Sequence, residues 1–300
     1  MANVSRVPRI MTSPSPAPSP NERTILITGC SSGIGHCAAH ALAHRGYRVF
    51  ATARREEDVA RLREEGLEAL PLDLADSTSI QMAVDTVLEA TGGRLDALFN
   101  NGAYGQPGAV EDLTRDVLRQ QLETNLLGWL ELTNLVIPVM REQGAGRIVQ
   151  NSSVLGLVAL PFRGAYNCSK FALEGLTDTL RLELHGSGVQ VSLIEPGPIS
   201  SRFRANAHAA LAAHIDRENS VFREQYAAAE QRLTKAGPAA PFTLPSEAVV
   251  RKLIHALESP RPRARYYVTV PTYLFGTLRR VLPTRGLDWV LRGVSRGENR

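Results

Sequence analysis

Residues 24–35 read Thr24-Ile-Leu-Ile-Thr28-Gly-Cys-Ser-Ser-Gly-Ile-Gly35, a short apolar run followed by a turn rich in glycine. The apolar run predicts a buried strand over 24–28, and the residues after the turn predict a helix over 34–45. Gly29 permits a tight turn, while Gly33 and Gly35 let the backbone approach a pyrophosphate and let the helix pack on the strand. The helix N-terminus would then face the negative charge. Because glycine turns after strands are common, a purely structural turn is the alternative to this dinucleotide site.

The rest of the chain alternates short apolar runs with longer amphipathic segments. The predicted strands after the first are 47–52, 68–72, 95–99, 147–151, 189–194 and 266–270. The predicted helices between them are 56–65, 77–90, 115–140, 165–185 and 246–257, with one or two more within 205–235. Apolar strands separated by helices indicate a parallel sheet covered on both faces. Without repeats or an interdomain linker, the predicted fold class is α/β, a single doubly wound Rossmann domain with about seven strands.

Three segments divide the chain. Residues 1–22 are rich in Pro and Ser and lack the apolar core of a signal peptide, which predicts a disordered extension. Residues 23–272 form the predicted domain, with a helical substrate lid at about 198–240. Residues 273–300 form an amphipathic tail that Pro283 and Gly286 interrupt. The tail could lie on a membrane surface as a peripheral contact, or it could cap the core.

Composition excludes several classes of protein. An apolar fraction of 43% and a charged fraction of 21% are ordinary for a globular domain. The net charge of +4 is too small to indicate a nucleic-acid partner, and no apolar run reaches the roughly 18–20 residues of a membrane span. Cys30, Cys37 and Cys168 have no pairing or metal-ligand spacing, which predicts a reducing compartment, the cytoplasm. The seven histidines are scattered, and no metal site is expected.

Tyr166 and Lys170 carry the strongest chemical signal. Lys170 is one of only three lysines among 34 basic residues, and it follows Tyr166 by four positions, one helical turn. A cation there can lower the pKa of the phenol and make it a proton donor and acceptor. An isolated pair of this kind is usually a surface pair. Here Ser153 follows the fifth predicted strand and Asn125 lies on the preceding helix, so both can meet the pair at the carboxyl edge of the sheet.

These motifs, together with Asn100-Asn101 and Pro196-Gly197, resemble the short branch of the short-chain dehydrogenase/reductase family over roughly residues 23–200. Glu195-Pro-Gly-Pro-Ile199 and the segment 265–270 are most similar to bacterial NADP-dependent aldehyde reductases, whose relatives act on retinoids and 17β-hydroxysteroids. Two departures stand out. Gly102-Ala103 replaces the usual Ala-Gly after the asparagines, and serines stand where the family often has a threonine after Pro196-Gly197.

The resemblance implies a role for each catalytic candidate. Tyr166 would be the general acid in carbonyl reduction and the general base in alcohol oxidation. Lys170 would hold the nicotinamide ribose and depress the tyrosine pKa, Ser153 would hydrogen-bond the substrate oxygen, and Asn125 would position a water that links Lys170 to solvent. The implied cofactor-binding residues are Gly29, Ser31, Ser32, Gly33, Ile34, Gly35, Arg54, Asp73, Leu74, Asn101, Gly102, Tyr166, Lys170, Pro196, Gly197 and Ile199.

The end of the second strand bears on cofactor choice. An NAD site would carry a carboxylate there for the adenosine ribose, whereas this chain has Ala51-Thr-Ala-Arg54-Arg55. A guanidinium binds a 2′-phosphate as a fork, which predicts NADP(H), with NAD as the less favoured cofactor. The alternative is that both arginines are solvated surface charge.

The lid indicates the substrate. Residues 205–213 are mostly small and apolar, with Phe203 and Phe222 nearby, which suits an apolar aldehyde, ketone or alcohol, although helix packing explains them equally well. The resemblance also implies a homodimer or homotetramer formed through 115–140 and 165–185. Three functions stay open: an NADP-dependent carbonyl reductase or alcohol dehydrogenase, an NADP-binding sensor without turnover, and a non-redox isomerase or dehydratase. The four catalytic candidates favour the first.

Overall fold

The computed structural model describes residues 23–237 and 240–298, so the predicted disordered extension 1–22 lies outside the described residues. One seven-stranded sheet forms the centre, and its strands pair in the order β3-β2-β1-β4-β5-β6-β7. Every pairing is parallel. The strands are β1 (Thr24–Ile27), β2 (Arg48–Ala53), β3 (Glu68–Pro71), β4 (Ala97–Asn100), β5 (Gly146–Asn151), β6 (Val189–Glu195) and β7 (Arg265–Tyr267). The predicted α/β class is confirmed.

Helices cover both faces of the sheet. They are α1 (Gly33–Ala43), α2 (Glu56–Glu64), α3 (Ser77–Thr91), α4 (Arg115–Leu122), α5 (Gly128–Glu142), α6 (Gly164–Glu183), α7 (Phe203–His214), α8 (Arg223–Thr234), α9 (Glu247–Glu258), α10 (Val270–Val281) and α11 (Thr284–Glu298). Helices α1, α2 and α9 bury apolar side chains on one face, and α3, α5 and α6 do so on the other. Each such side chain contributes about 1.5–3 kcal/mol when fully buried.

The chain order reverses between β1 and β4. The chain leaves β1 toward β2 and β3 on one side and later returns to pair β4 on the other side of β1. Loops that follow these two strands therefore diverge and open a crevice at their carboxyl ends, the usual ligand position in such sheets. Thr28 bridges the two loops, since its hydroxyl accepts hydrogen bonds from the backbone N–H groups of Asn101 and Gly102, both at 2.8 Å.

The predicted helix 115–140 is interrupted. A π-helical turn, Glu123–Leu127, separates α4 from α5 and contains Asn125. Gly128 follows it, and a Cβ there would overlap the carbonyl oxygen of Leu74, so the helix packs directly against the loop after β3. A π turn inserts one residue without breaking the helix, and such turns are frequent at functional sites.

The C-terminal segment also differs from the prediction. The last strand is only three residues long, and α10 begins at Val270, the last residue of the predicted strand 266–270, because Pro271 fits the first turn of a helix. Pro283 separates α10 from α11, whereas Gly286 lies inside α11. Phe275 and Leu291 of these two helices pack with Val158, so the tail caps this part of the core. Among the described residues, no helix has the length and apolarity to cross a membrane.

Candidate active site

The glycine-rich turn after β1 is a site where side chains do not fit. Gly29 and Gly33 have φ values of +72° and +61°, which favour glycine. A Cβ on Gly29 would lie 2.5 Å from the Cα of Gly102, and one on Gly35 would overlap the carbonyl oxygen of Gly29. One side of the turn therefore packs closely against Gly102, and the backbone on its other side is open toward the crevice.

Asn101 fastens this turn to its neighbours. Its side-chain amide donates to the carbonyl oxygens of Thr28 at 3.0 Å and Gly29 at 3.2 Å, and it accepts from Asn151 at 2.9 Å. The close approach of Gly102 to Gly29 gives a reason for the order Gly102-Ala103 in this chain, because the residue without a side chain stands at the contact.

Two arginines, Arg54 and Arg55, follow directly after β2. Arg54 is exposed, and its charge acts to lower the pKa of the half-buried Tyr104, although burial raises that pKa overall. Arg55 forms ion pairs with Glu57 and Asp58, both at 2.9 Å. No ion pair or hydrogen bond of the Arg54 side chain is found within the part of the chain that the structure describes. Of the two arginines, Arg54 is thus the one available to an anion.

Arg61 also reaches this region, which the sequence analysis missed. It donates to the carbonyl oxygen of Ser31 in the glycine-rich turn at 2.7 Å and pairs with Asp58 at 2.9 Å. The spacing of three residues between Asp58 and Arg61 on a predicted helix indicates an ion pair between them. The contact with Ser31 depends on how α2 packs and could not be inferred from spacing.

Lys170 is buried behind Tyr166, at 1% exposure. Its ammonium donates to the carbonyl oxygen of Asn151 at 2.9 Å and lies 4.2 Å from the centre of the Trp129 ring and 5.7 Å from that of Tyr166. Burial lowers the Lys170 pKa to about 7, and the negative charge of Glu174 opposes this shift. Trp129, which the sequence analysis did not single out, thus forms one wall around the ammonium.

The expected acidification of Tyr166 by Lys170 is wrong for this structure. Burial raises the pKa of the Tyr166 phenol to about 12, while a hydrogen bond with Ser153 acts in the opposite direction. The physical reason is that burial disfavours the charged form of a group, which raises the pKa of a phenol and lowers that of an ammonium. The phenol therefore keeps its proton at neutral pH.

The Asn125 side chain is hydrogen-bonded to the loop after β4 and to α6. The amide is buried, donates to the Tyr104 carbonyl at 2.8 Å and to the Ser169 hydroxyl at 3.3 Å, and accepts from the Tyr104 N–H at 3.1 Å. The side chain thus holds the loop after β4 in place, and the water-positioning role of Asn125 stays a prediction. Sequence alone could not show this, since Tyr104 meets Asn125 only through the π turn.

A cleft of about 360 Å³ runs across the carboxyl edge of the sheet. The predicted residues that line it are Gly29, Ser31, Ser32, Gly33, Ile34, Asn101, Gly102, Ser153, Tyr166, Pro196, Gly197 and Ile199. The predicted residues outside this lining are Gly35, Arg54, Asp73, Leu74, Asn125 and Lys170. Leu74 is buried in the core, and the half-buried Asp73 carboxylate accepts from the Ala75 N–H, so their contact with the adenine stays a prediction.

A second cavity of about 130 Å³ adjoins the cleft beside Tyr166. Helices α7 and α8 roof it with Phe203, Ala207 and Leu233, and Ser295 of α11 also lines it. The Phe203 ring meets the Tyr166 ring edge-on, with centroids 5.4 Å apart. The lid was predicted, but the approach of the tail to this cavity had no signal in the sequence.

A buried charge network lies behind the site and was also missed. Glu174 is one helical turn beyond Lys170 and accepts from the Ser152 hydroxyl at 2.5 Å. Arg265 on β7 binds both Glu174 and Glu195, the latter at 2.6 Å. Burial and the nearby Glu174 raise the Glu195 pKa to about 8, although Arg265 lowers it. These residues join α6, β6 and β7 beneath the Tyr166–Lys170 pair.

Comparison with known proteins adds independent findings. A family model described as short chain dehydrogenase matches residues 23–212. The uncharacterized oxidoreductase YbbO of Escherichia coli (strain K12) is 40% identical over 91% of this chain and 95% of its own length. The NADPH-dependent 3-dehydrocapnine reductase of Ornithobacterium rhinotracheale is 31% identical over 89% and 95%. A solved short chain dehydrogenase/reductase of Burkholderia phymatum in complex with NAD is 27% identical, covers 90% and 95%, and has a TM-score of 0.72.

Proposed function

The chain belongs to the short-chain dehydrogenase/reductase family of oxidoreductases, and from that premise we propose that it interconverts an apolar aldehyde or ketone and its alcohol, with NADP(H) as coenzyme. One observation carries the proposal. Tyr166 and Ser153 line the same cleft as the glycine-rich turn, and the buried Lys170 lies directly behind Tyr166.

The residues of the cleft fit a dinucleotide. The backbone of the turn is open because no side chain could stand at Gly29 or Gly35, and Ser31 and Ser32 add hydroxyls beside it. Helix α1 begins at Gly33, so its N-terminus favours a phosphate group. Arg54 would recognise a 2′-phosphate. When bound there, NADPH supplies the hydride for carbonyl reduction.

Side chains of this protein can supply the proton that carbonyl reduction needs. Because its pKa is raised, Tyr166 holds its proton at neutral pH and can donate it to a carbonyl oxygen that gains negative charge. Ser153 donates a second hydrogen bond to the same oxygen. In the reverse direction the phenol must first lose its proton, so alcohol oxidation should increase as the pH rises. Lys170 is placed to exchange a proton near neutral pH.

The cavity beside Tyr166 supports an apolar substrate. Its walls include Leu155, Phe162, Phe203 and Leu233, which would stabilise an alkyl chain or a ring system rather than a small polar carbonyl. The relative from Ornithobacterium rhinotracheale is named as a reductase that depends on NADPH, which supports the choice of coenzyme. The proposal includes a cytoplasmic location, in keeping with three cysteines that form no disulfide.

A turnover assay tests the proposal. The purified full chain, NADPH and a panel of apolar aldehydes and ketones would be followed at the nicotinamide absorbance, with NADPH binding measured separately. We expect turnover on at least one apolar carbonyl compound and little on small polar ones. Binding of NADPH without any turnover would replace the enzyme with the sensor, and failure to bind either coenzyme would overturn both.

A further inference from the structure

Two histidines and a glutamate meet on the surface between α1 and the end of α2. His36 and His40 lie four residues apart on α1, one helical turn, and their ring centroids are 4.6 Å apart. Glu65, just past the end of α2, places a single carboxylate oxygen 2.7 Å from the Nε2 of His36 and 2.8 Å from the Nε2 of His40. All three potential ligand atoms lie within 4.8 Å of one another.

We propose that His36, His40 and Glu65 form a binding site for one divalent transition-metal ion, with Zn²⁺ as the best match, that ties α1 to the end of α2. The donor set is two imidazoles and one carboxylate, and imidazole-rich sites suit Zn²⁺, Cu²⁺ and Ni²⁺ rather than Mg²⁺ or Ca²⁺. Zn²⁺ with three protein ligands completes a tetrahedron with water.

The local geometry already brings the ligands together. Zn²⁺ needs each donor at about 2.0–2.2 Å, and the three atoms now share hydrogen bonds across which an ion would be inserted. Both imidazoles are about one-third exposed, at 35% and 30%, so an ion can reach them without opening the core.

Arg61 provides a second contact that orients the carboxylate. Its Nε lies 3.6 Å from the second oxygen of Glu65, which leaves the first oxygen directed at the imidazoles. The same arginine donates to the Ser31 carbonyl in the glycine-rich turn. Partners of this kind fix the orientation of a metal ligand. The site is separate from the proposed reaction, because binding of an ion here requires neither coenzyme nor turnover.

Titration of the full chain with Zn²⁺, by calorimetry in a Cys168→Ser background, tests the proposal. Replacing Cys168 removes an exposed thiol that would bind Zn²⁺ on its own. We expect one saturable site, with His36→Gln and His40→Gln each weakening Zn²⁺ at least about tenfold, the minimum expected even for loss of an outer partner. Absorption spectra with Co²⁺ in place of Zn²⁺ should show the bands of a tetrahedral site, and the same variants should lose them.

His208→Gln is the matched control. His208 pairs with Glu230 at 3.0 Å, and Glu230 also binds Arg217 at 2.8 Å, so this trio has the same residue types with only one imidazole. Zn²⁺ affinity should stay unchanged in this variant. The proposal is overturned if the wild-type chain shows no saturable site, or if both His36→Gln and His40→Gln bind Zn²⁺ as tightly as His208→Gln does, with circular dichroism confirming that all are folded.

Discussion

The two ends of the cleft handle charge in opposite ways. At the adenosine end, Arg54 and Arg55 remain in water, where an ion pair contributes little until a phosphate arrives. At the reaction end, Tyr166, Lys170 and Glu195 are removed from water, and their pKa values move to about 12, about 7 and about 8. One end is therefore suited to binding, whereas at the other end Lys170 and Glu195 can change protonation state near neutral pH and Tyr166 keeps its proton.

Replacing Tyr166 by Phe should have the largest effect. Without the phenolic proton, kcat for carbonyl reduction should fall by about 10²–10⁴, the usual contribution of a positioned acid. NADPH affinity should stay near the wild-type value, because the ring and its packing on Phe203 remain. Tyr104→Phe is the control, since that tyrosine lies near Arg54 instead. A Tyr166→Phe enzyme that keeps most of its rate would show that another group donates the proton.

Arg54→Ala tests the adenosine end. Loss of a charge-assisted contact to a 2′-phosphate should weaken NADPH by about 10- to 100-fold and leave NADH almost unaffected. Arg55→Ala should have a much smaller effect on both coenzymes, because Arg55 is already paired with Glu57 and Asp58. Dissociation constants from nicotinamide fluorescence would provide the measurement. Equal losses for NADPH and NADH would remove the argument for phosphate recognition.

Two residues of α11, Leu291 and Trp289, test what the C-terminal helices contribute to folding and to substrate binding. Leu291 is buried against Phe275 and Val158, so Leu291→Ala should lower the free energy of unfolding by about 2 kcal/mol and raise KM for an apolar substrate. Trp289 is 75% exposed, and Trp289→Ala should leave folding unchanged. Denaturant titration measures the first effect. Vesicle binding is a separate measurement. The predicted peripheral membrane contact gains support if Trp289→Ala binds anionic lipid vesicles more weakly than the wild-type chain does.

Lys170→Met tests the stability cost of burying a titratable group. The Lys170 pKa is about 7 in the folded chain and about 10.5 when unfolded, so between these values the unfolded chain holds more protons. Wild-type stability should therefore rise with pH across this range, by about 1.4 kcal/mol per pH unit from this group. The variant should be the more stable protein at pH 7, and its advantage should shrink toward pH 10. Parallel stability curves at pH 7, 8 and 9 would contradict the burial argument.

Much of the scaffold was predictable because its signals are local. The apolar run 24–28, the glycines after it and the regular alternation of strands and helices depend on neighbouring residues, and the structure agrees with them to within a few positions. Tyr166 and Lys170 on one helix, and Ser153 after β5, could be placed together because parallel strands end at a common edge.

The rest depends on contacts between distant segments. The π turn at Asn125 has the apolar pattern of an ordinary helix, and only the approach of Gly128 to Leu74 explains its position. Arg61 reaches Ser31, and Glu65 reaches His36, through the packing of α2 on α1. The direction of the Tyr166 pKa shift was mispredicted for a related reason, because spacing shows proximity but not burial.

The extent of the family match has a consequence for how such proteins diversify. Residues 23–212 contain the turn and all four catalytic candidates, whereas Ala229, Leu233 and Ser295 of the substrate cavity lie beyond that region. A descendant could thus acquire a new substrate through changes in its last 90 or so residues while inheriting the hydride-transfer machinery intact. A chimera between two relatives should therefore be joined at about residue 200, because Phe203 and Ala207 also line this cavity, and the exchange should transfer substrate preference while Ser153, Tyr166 and Lys170 stay in place.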